Sequence, residues 1–345
     1  MQINQEQPLS QEFNPPSKCY GVSFLINNYN YGRFLGDAIT SVLNQEIKDG
    51  DTSYEVIVVD DGSTDHSSAV MAQFGDRITP ILKQNGGQAS AFNAGVAASS
   101  GEWICFLDAD DVVRSDKAQT ILQVAETHPN AEWIFHPLQP VDADLVPIDV
   151  KPTDVKPTDA KPLDAKAETV AYPIDVRASM EKGRLNYRQL PFPVPATSGM
   201  CIRRSHLARL FPMPESDGIS VNDTYLQPAT MGNAPGVFLA MPLASQRYHG
   251  NNIYVTDSRC DGETVNHVLK SRILFLAAYW LQHNFAQLTQ FSYEILAISI
   301  VERWRSNSPW SPTETQQFKQ LLSGLTLRNR LRIYSKATYL YLRSL

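Results

Sequence analysis

Between Gly21 and about Leu138 the chain repeats one pattern: a short, continuously apolar run, a polar turn, a stretch of helical periodicity, then another apolar run. Such runs are too short and too continuously apolar to be helices. They read as strands with helices crossing between them, the signature of a largely parallel sheet. GVSFLI, EVIVV, ITPIL, WICFL and EWIFH are the strands of this kind. Between the first two, Leu35, Ala38, Ile39, Val42 and Leu43 fall at helical spacing and give that crossover one apolar face.

The pattern breaks at Asp149, where a pentapeptide repeats imperfectly as DVKPT, DVKPT, DAKPL and DAKAE. The rings of Pro152, Pro157 and Pro162 block helix and ladder hydrogen bonds, and no apolar face forms. Residues 149–168 therefore read as an exposed, extended, disordered insertion in a surface loop; a docking arm is the alternative. Order returns near Val170, with a strand at GMCIR, helices around Ser205 to Leu210 and around Asp223, and a strand in VFLAMPLA that ends in QRYHGNN. From about Thr264 the composition is helical. The expected organisation is a flexible leader over 1–19, one α/β domain over 20–255 and a helical C-terminal region over 256–345.

A chain of 345 residues has room for that plan. Hydrophobic residues at 43% and charged ones at 19% exclude a disordered or lipid-embedded chain, and no apolar stretch approaches the ~20 residues that span a bilayer. The net charge of −6 gives no general attraction to nucleic acid, so an anionic ligand must be held by local arrangement or by a bound cation. Cys19, Cys105, Cys201 and Cys260 form no CxxC pair, which suggests neither a zinc site nor a disulfide framework and fits a reducing cytoplasm. The polar start lacks the order of a signal peptide.

Four elements carry the chemistry. EVIVVDDGSTD buries a strand whose carboxyl end exposes Asp60 and Asp61, in the crevice where open α/β sheets bind ligands. Asp65 reads as a cap for the next helix. WICFLDADD repeats the arrangement with Asp108, Asp110 and Asp111. Carboxylates crowded at one strand end repel one another unless protons or a cation neutralise them, and a DxD triplet suits a hard divalent cation. KQNGGQASAFNAG places Gly86 and Gly87 before a helix whose small face of Ala91, Ala94, Gly95 and Ala98 can lie close on the sheet, with N–H groups offered to an anion; a plain glycine turn is the simpler alternative. LINNYNYG brings Asn27 and Tyr29 to the same crevice, where an amide and a ring can bond and stack on a base, or simply form a turn.

In this order, VSFLINNYN, EVIVVDDGSTD, NGGQASAFNAG and FLDADD resemble the family 2 glycosyltransferases of the GT-A fold, over about Tyr20 to Trp133. The resemblance implies a Rossmann-like, mixed but mostly parallel sheet flanked by helices. It implies a nucleotide-diphosphate sugar as donor, with a UDP-sugar expected, and a divalent cation, manganese or magnesium. Asn27, Tyr29 and Asp61 match the uridine-binding positions. Gly86, Gly87 and Asn93 of the third motif join them on the donor side, together with Asp108. Asp108 and Asp110 match the DxD, with Asp110 as the direct metal ligand. The family's catalytic base sits in an ED pair; here VNDTYL supplies Asn222 and Asp223, so Asp223 is the implied base despite the Glu to Asn departure. RYHGNN resembles a segment that can place a histidine, here His249, on the metal or diphosphate; a structural histidine is the alternative.

The implied reaction is a single displacement with inversion, in which Asp223 takes the proton of an acceptor hydroxyl on a glycan, a lipid-linked sugar or another molecule, as in polysaccharide biosynthesis. Two other classes stay open. A sugar-phosphate nucleotidyltransferase would need a glycine-rich, basic signature where NNYNYG stands. A non-catalytic nucleotide-sugar or glycan-binding module would be favoured if Asp223 lay far from the metal site. Near the end, Arg328, Arg330, Arg332, Lys336 and Arg343 alternate with Leu331, Ile333, Tyr334, Leu340 and Leu345. This basic amphipathic tail reads either as a peripheral contact with the inner face of a membrane or as a helix packed on the domain with a solvated basic face.

Overall fold

A computed structural model describes residues 21–47, 53–148, 171–185, 190–215, 223–249 and 266–343. The expected leader, the whole DxKPx insertion, Asn222, Leu345 and the GNN of RYHGNN lie outside the described residues.

The first half follows the alternation read from the sequence: β1 (Val22–Asn28), α1 (Gly32–Leu43), β2 (Tyr54–Asp60), α2 (Ser67–Ala72), β3 (Thr79–Leu82), α3 (Gln88–Ala98) and β4 (Trp103–Asp108). After a two-residue β5 (Val112–Val113) come α4 (Lys117–Thr127), β6 (Trp133–Phe135), β7 (Leu138–Val141), β8 (Ala171–Ile174) and α5 (Arg177–Glu181). Then follow β9 (Met200–Arg203), α6 (Arg204–Leu207), α7 (Asp223–Asn233), β10 (Gly236–Leu239) and β11 (Ala244–Arg247). Four helices close the described chain: α8 (His267–Asn284), α9 (Thr289–Ser306), α10 (Pro312–Ser323) and α11 (Leu327–Leu342).

Eight strands form one sheet in the order β3-β2-β1-β4-β9-β6-β10-β8. The first four run parallel, β9 is antiparallel to both β4 and β6, and β8 is antiparallel to β10. The sheet is thus mixed and mostly parallel. Because alternate strand residues face opposite sides, β1 divides its side chains between two cores. Phe24 and Ile26 pack with Leu35, Ile39 and Val42 of α1 and Ile121 of α4. Leu25 packs on the other side with Phe92 and Val96 of α3. That second core continues through Trp133, Phe135 and Phe238 into Phe275, Leu281, Phe291 and Ile300 of α8 and α9. At about 1.5–3 kcal/mol per fully buried large side chain, this shared apolar surface holds the C-terminal helices on the sheet.

Three local expectations are corrected. VFLAMPLA is two strands, β10 in the large sheet and β11 in a separate three-stranded sheet ordered β5-β11-β7. The turn around Pro242 breaks what reads as one apolar run. The helix expected over Ser205 to Leu210 is the short α6, which ends at Leu207. On α3, Ala98 is exposed, and the buried face is Ala91, Phe92, Gly95 and Val96. Gly95 still permits the close approach, since a Cβ there would overlap the Leu25 side chain. Among the described residues no helix is long and apolar enough to cross a membrane.

Candidate active site

β1, β2 and β4 end side by side. The register sets Asn27 opposite both Val59 and Asp108, and Asn28 opposite Asp60. Three adjacent parallel strands therefore deliver two amides and two carboxylates to one edge, the usual ligand crevice of such sheets.

The two aspartates that leave β2 do different things. Asp60 is buried and builds the turn: its carboxylate accepts from Asn28 Nδ2 at 2.6 Å, Ser63 Oγ at 2.5 Å and Ser63 N at 3.2 Å. Gly62 follows with φ of +77°, and a Cβ there would sit 2.7 Å from the Asn85 backbone nitrogen, so the turn requires glycine. Asp61, also buried, accepts from Lys83 Nζ at 2.6 Å, Gly87 N at 2.7 Å and Gly86 N at 3.0 Å. This corrects the expectation of free N–H groups at Gly86 and Gly87, because the anion they meet is the chain's own Asp61. Lys83 was not singled out in the sequence, although its place directly after ITPIL, at a strand's carboxyl end, marks it.

Asp65 does cap, and at two helices. Its carboxylate accepts from Ser67 N at 2.9 Å, the first residue of α2, and from Gly32 N at 2.8 Å, the first residue of α1. Burial alone would raise its pKa, but the hydrogen bonds from Ser67 and Gly32 hold it below the usual range.

At the end of β4 the carboxylates crowd as expected. Burial, then the charge of Asp110 and more weakly that of Asp223, push the Asp108 carboxyl up to about 7 against hydrogen bonds from Asn27 and Gln88. The Gln88 amide donates to Asp108 Oδ1 at 3.1 Å. Asp111 turns inward: it accepts from Ser198 Oγ at 2.6 Å and Arg247 N at 2.9 Å, and burial with the charges of Asp110 and Asp108 pushes its carboxyl well up. Ser198 also accepts from Asp108 N at 3.1 Å, and the fully buried Lys117 donates to the Ser198 carbonyl at 2.9 Å. Ser198 and Lys117 are supports outside the motifs quoted above, and Arg247, the first residue of RYHGNN, supports the site in a role that the motif did not indicate.

Asp110 meets His249, whose Nε2 stands 3.1 Å from Asp110 Oδ2. The imidazole is held from behind by the Phe34 ring, with centroids 4.5 Å apart, and by the edge of Tyr31 at 5.7 Å. Two residues earlier the buried Arg247 guanidinium bonds Asp37 Oδ2 at 2.9 Å and the Ala143 carbonyl at 3.1 Å, and lies over the Phe34 ring. Asp223 opens α7, and burial pushes its carboxyl up to about 6, eased by hydrogen bonds from the Thr224 N–H and hydroxyl. Its charge reaches Asp108.

Of the remaining expected residues, Tyr29 is 46% exposed at the exit of β1, and Asn27 Oδ1 is buried without a hydrogen-bond partner among the described residues. An orphaned buried acceptor beside Asp108 suits a ligand that brings an N–H or hydroxyl there. Asn93 does not stand free for a donor. Its amide accepts from Met213 N at 2.6 Å and donates to the Met213 carbonyl at 2.9 Å and Glu215 Oε1 at 2.8 Å, tying α3 to the later half of the chain.

Among the described residues no three or more His, Cys, Asp or Glu converge to hold a metal ion. The three-ligand set of Asp108, Asp110 and His249 is therefore not preformed; Asp110 and His249 meet, while Asp108 is engaged by Gln88 and Asn27. A carboxylate and an imidazole completed by phosphate oxygens and water still fit a divalent cation that arrives with its ligand.

The sheet order, with carboxylates closing β2 and β4 at a shared crevice, defines a GT-A-type α/β protein. Residues 23–138 match the family model described as glycosyl transferase family 2. An uncharacterized glycosyltransferase of Nostoc sp. (strain PCC 7120) is 45% identical over 127 residues, 36% of this chain and 38% of that protein. The succinoglycan biosynthesis protein ExoO of Rhizobium meliloti is 39% identical over 117 residues, 33% of this chain and 32% of that protein. The match thus spans less than two-fifths of either relative. The structure of S. aureus TarS residues 1–349 in complex with UDP-GlcNAc superposes with a TM-score of 0.53 at 15% identity, covering 91% of this chain and 79% of that one. This likeness extends the shared fold beyond the matched segment.

Proposed function

We propose that the protein is an inverting glycosyltransferase that moves a sugar from a nucleotide-diphosphate sugar, with a uridine donor as the leading choice, to a hydroxyl of a glycan or lipid-linked acceptor. The observation that carries this reading is the Asp110–His249 pair, 3.1 Å apart, next to an Asp108 carboxyl that feels the charges of both Asp110 and Asp223. Asn27, with its unpartnered Oδ1, and the exposed Tyr29 supply a place for the nucleoside. That ExoO is a succinoglycan biosynthesis protein supports placing this chain in polysaccharide assembly. The proposed location is the cytoplasm, where nucleotide sugars are made.

In the proposed reaction the acceptor oxygen attacks the anomeric carbon, the bond from that carbon to the donor phosphate breaks, and the acceptor proton passes to Asp223. A carboxyl near 6 is ionised at neutral pH yet more basic than an ordinary aspartate, which suits a general base. Asp110 and His249 would hold a manganese or magnesium ion, and when bound it supplies positive charge against the departing diphosphate. The reach of the Asp223 charge to Asp108 supports catalysis over a binding-only module.

Calorimetric titration of UDP- and GDP-sugars, with and without manganese, tests the reading on wild type and Asp110→Asn. Metal-dependent binding of one nucleotide, lost in the variant, is expected. Binding of no donor under any condition would sink the proposal.

A further inference from the structure

The outward face of α11 is apolar and exposed, and its rim is cationic. Ile333 and Ala337 are buried against the body, Asn329 Nδ2 donates to Tyr293 Oη at 3.1 Å, and Lys336 pairs with Glu294 at 3.3 Å, so the helix is fixed along α9 by one side. This corrects the assignment of Ile333 to the amphipathic stripe. The opposite side carries Leu327, Leu331 and Leu342 at 71%, 59% and 63% exposure, with Tyr334 in the same stripe. These positions fall within about a third of a turn of one another at 100° per residue. Arg328, Arg332 and Arg343 flank the stripe on one side and Arg330 on the other, and the helix contains no Asp or Glu. Beside it, Gln290, Arg328, Asn329, Leu331, Arg332 and Ser335 line an open notch of about 610 Å³. Trp304 is exposed at the end of α9 and meets the edge of Tyr341, with centroids 5.6 Å apart.

We infer that this face of α11 docks on an anionic lipid bilayer. Three exposed leucines on a helix that is already packed cost solvation with no return inside the fold. A row of arginines on a chain of net charge −6 selects an anionic surface over a neutral one. Leucines that enter the acyl boundary, arginines at the phosphate level and exposed Trp304 and Tyr339 at the same depth make an interfacial anchor that lies on the membrane without crossing it.

The test is co-sedimentation of the full chain with phosphatidylcholine vesicles with and without phosphatidylglycerol. Binding to the anionic vesicles, weakened by salt, is expected. Arg328→Ala combined with Arg343→Ala should lower the partition coefficient about 25-fold, roughly fivefold per cation. Leu331→Gln combined with Leu342→Gln should lower it at least about tenfold. Far-UV circular dichroism checks the fold of both variants; if the leucine variant unfolds, the arginine variant decides alone. No binding by wild type, equal binding to neutral vesicles, or variants that bind as wild type would each overturn the inference. So would variants that only dissociate a dimer, since the face would then join two copies of the chain.

Discussion

His249 Nε2 lies 3.1 Å from Asp110 Oδ2, although 139 positions separate the two residues in the chain. The carboxylate arrives on the exit of β4, and the imidazole arrives from β11 in the smaller sheet. Arg247 N donates to the Asp111 carboxylate at 2.9 Å and ties the two segments together, one residue after Asp110 and two before His249. An aspartate and a histidine brought together across two sheets form a pair that neither motif contains alone.

If that pair holds a cation with the donor, removing either member should weaken metal-dependent donor binding by at least about tenfold, near 1.4 kcal/mol. Asp110→Asn, His249→Ala and the double variant, titrated calorimetrically with manganese, should show a double-variant loss smaller than the sum of the singles. Strict additivity would mean that the two side chains act separately.

Asp223→Asn should leave donor affinity near wild type while kcat falls about 10²- to 10⁴-fold. In wild type, activity should decline as the pH drops through about 6, where the Asp223 carboxyl takes up its proton. A variant that keeps its rate, or a profile flat from pH 5 to 8, would remove Asp223 from the role of base.

Stability should run the other way with pH. Asp223 and Asp108 have folded pKa values of about 6 and about 7, above the 3.8 expected for the unfolded chain. The folded state therefore binds more protons than the unfolded state between about pH 4 and 7, and unfolding free energy falls as pH rises through that window. For Asp223 the loss is on the order of 3 kcal/mol. Metal-free Asp108→Asn should be more thermostable than wild type at pH 8 and closer to it at pH 5, as read by Tm.

Gly62→Ala should destabilise the protein by about 2 kcal/mol, because φ of +77° disfavours a Cβ and the Asn85 backbone stands in its way. Since that turn also positions Asp61, the denaturation midpoint and donor affinity should fall together. A stable variant with intact binding would show that the loop can relax.

Much of the fold was legible because β1, β2 and β4 are buried on both faces and spell it in runs such as FLI, VIVV and CFL. β5, β7 and β8 were not legible: they hold two to four residues, and β7 and β8 each contain a proline, so pairing partners rather than local preference make them strands. The carboxylates of the candidate site were visible as motifs. Their supports were not, since nothing near Ser198 in sequence shows that its hydroxyl will join Asp108 N to Asp111. Asn93, placed on the donor side by the resemblance, lies in the middle of α3, where its amide meets the Met213 backbone as both donor and acceptor, a pairing across 120 positions that no local pattern shows.

The sheet order has a consequence for synthesis on the ribosome. β3, β2, β1 and β4 are complete once Asp108 has emerged, whereas β9, which must join β4 before β6 can pair, comes nearly a hundred residues later. At ordinary elongation rates the interval between the emergence of Asp110 and that of His249 is on the order of 10 s. During that interval the nascent chain carries Asp60, Asp61, Asp108 and Asp110 without Asp223 or His249, so the two sides of the candidate site are synthesised at different times.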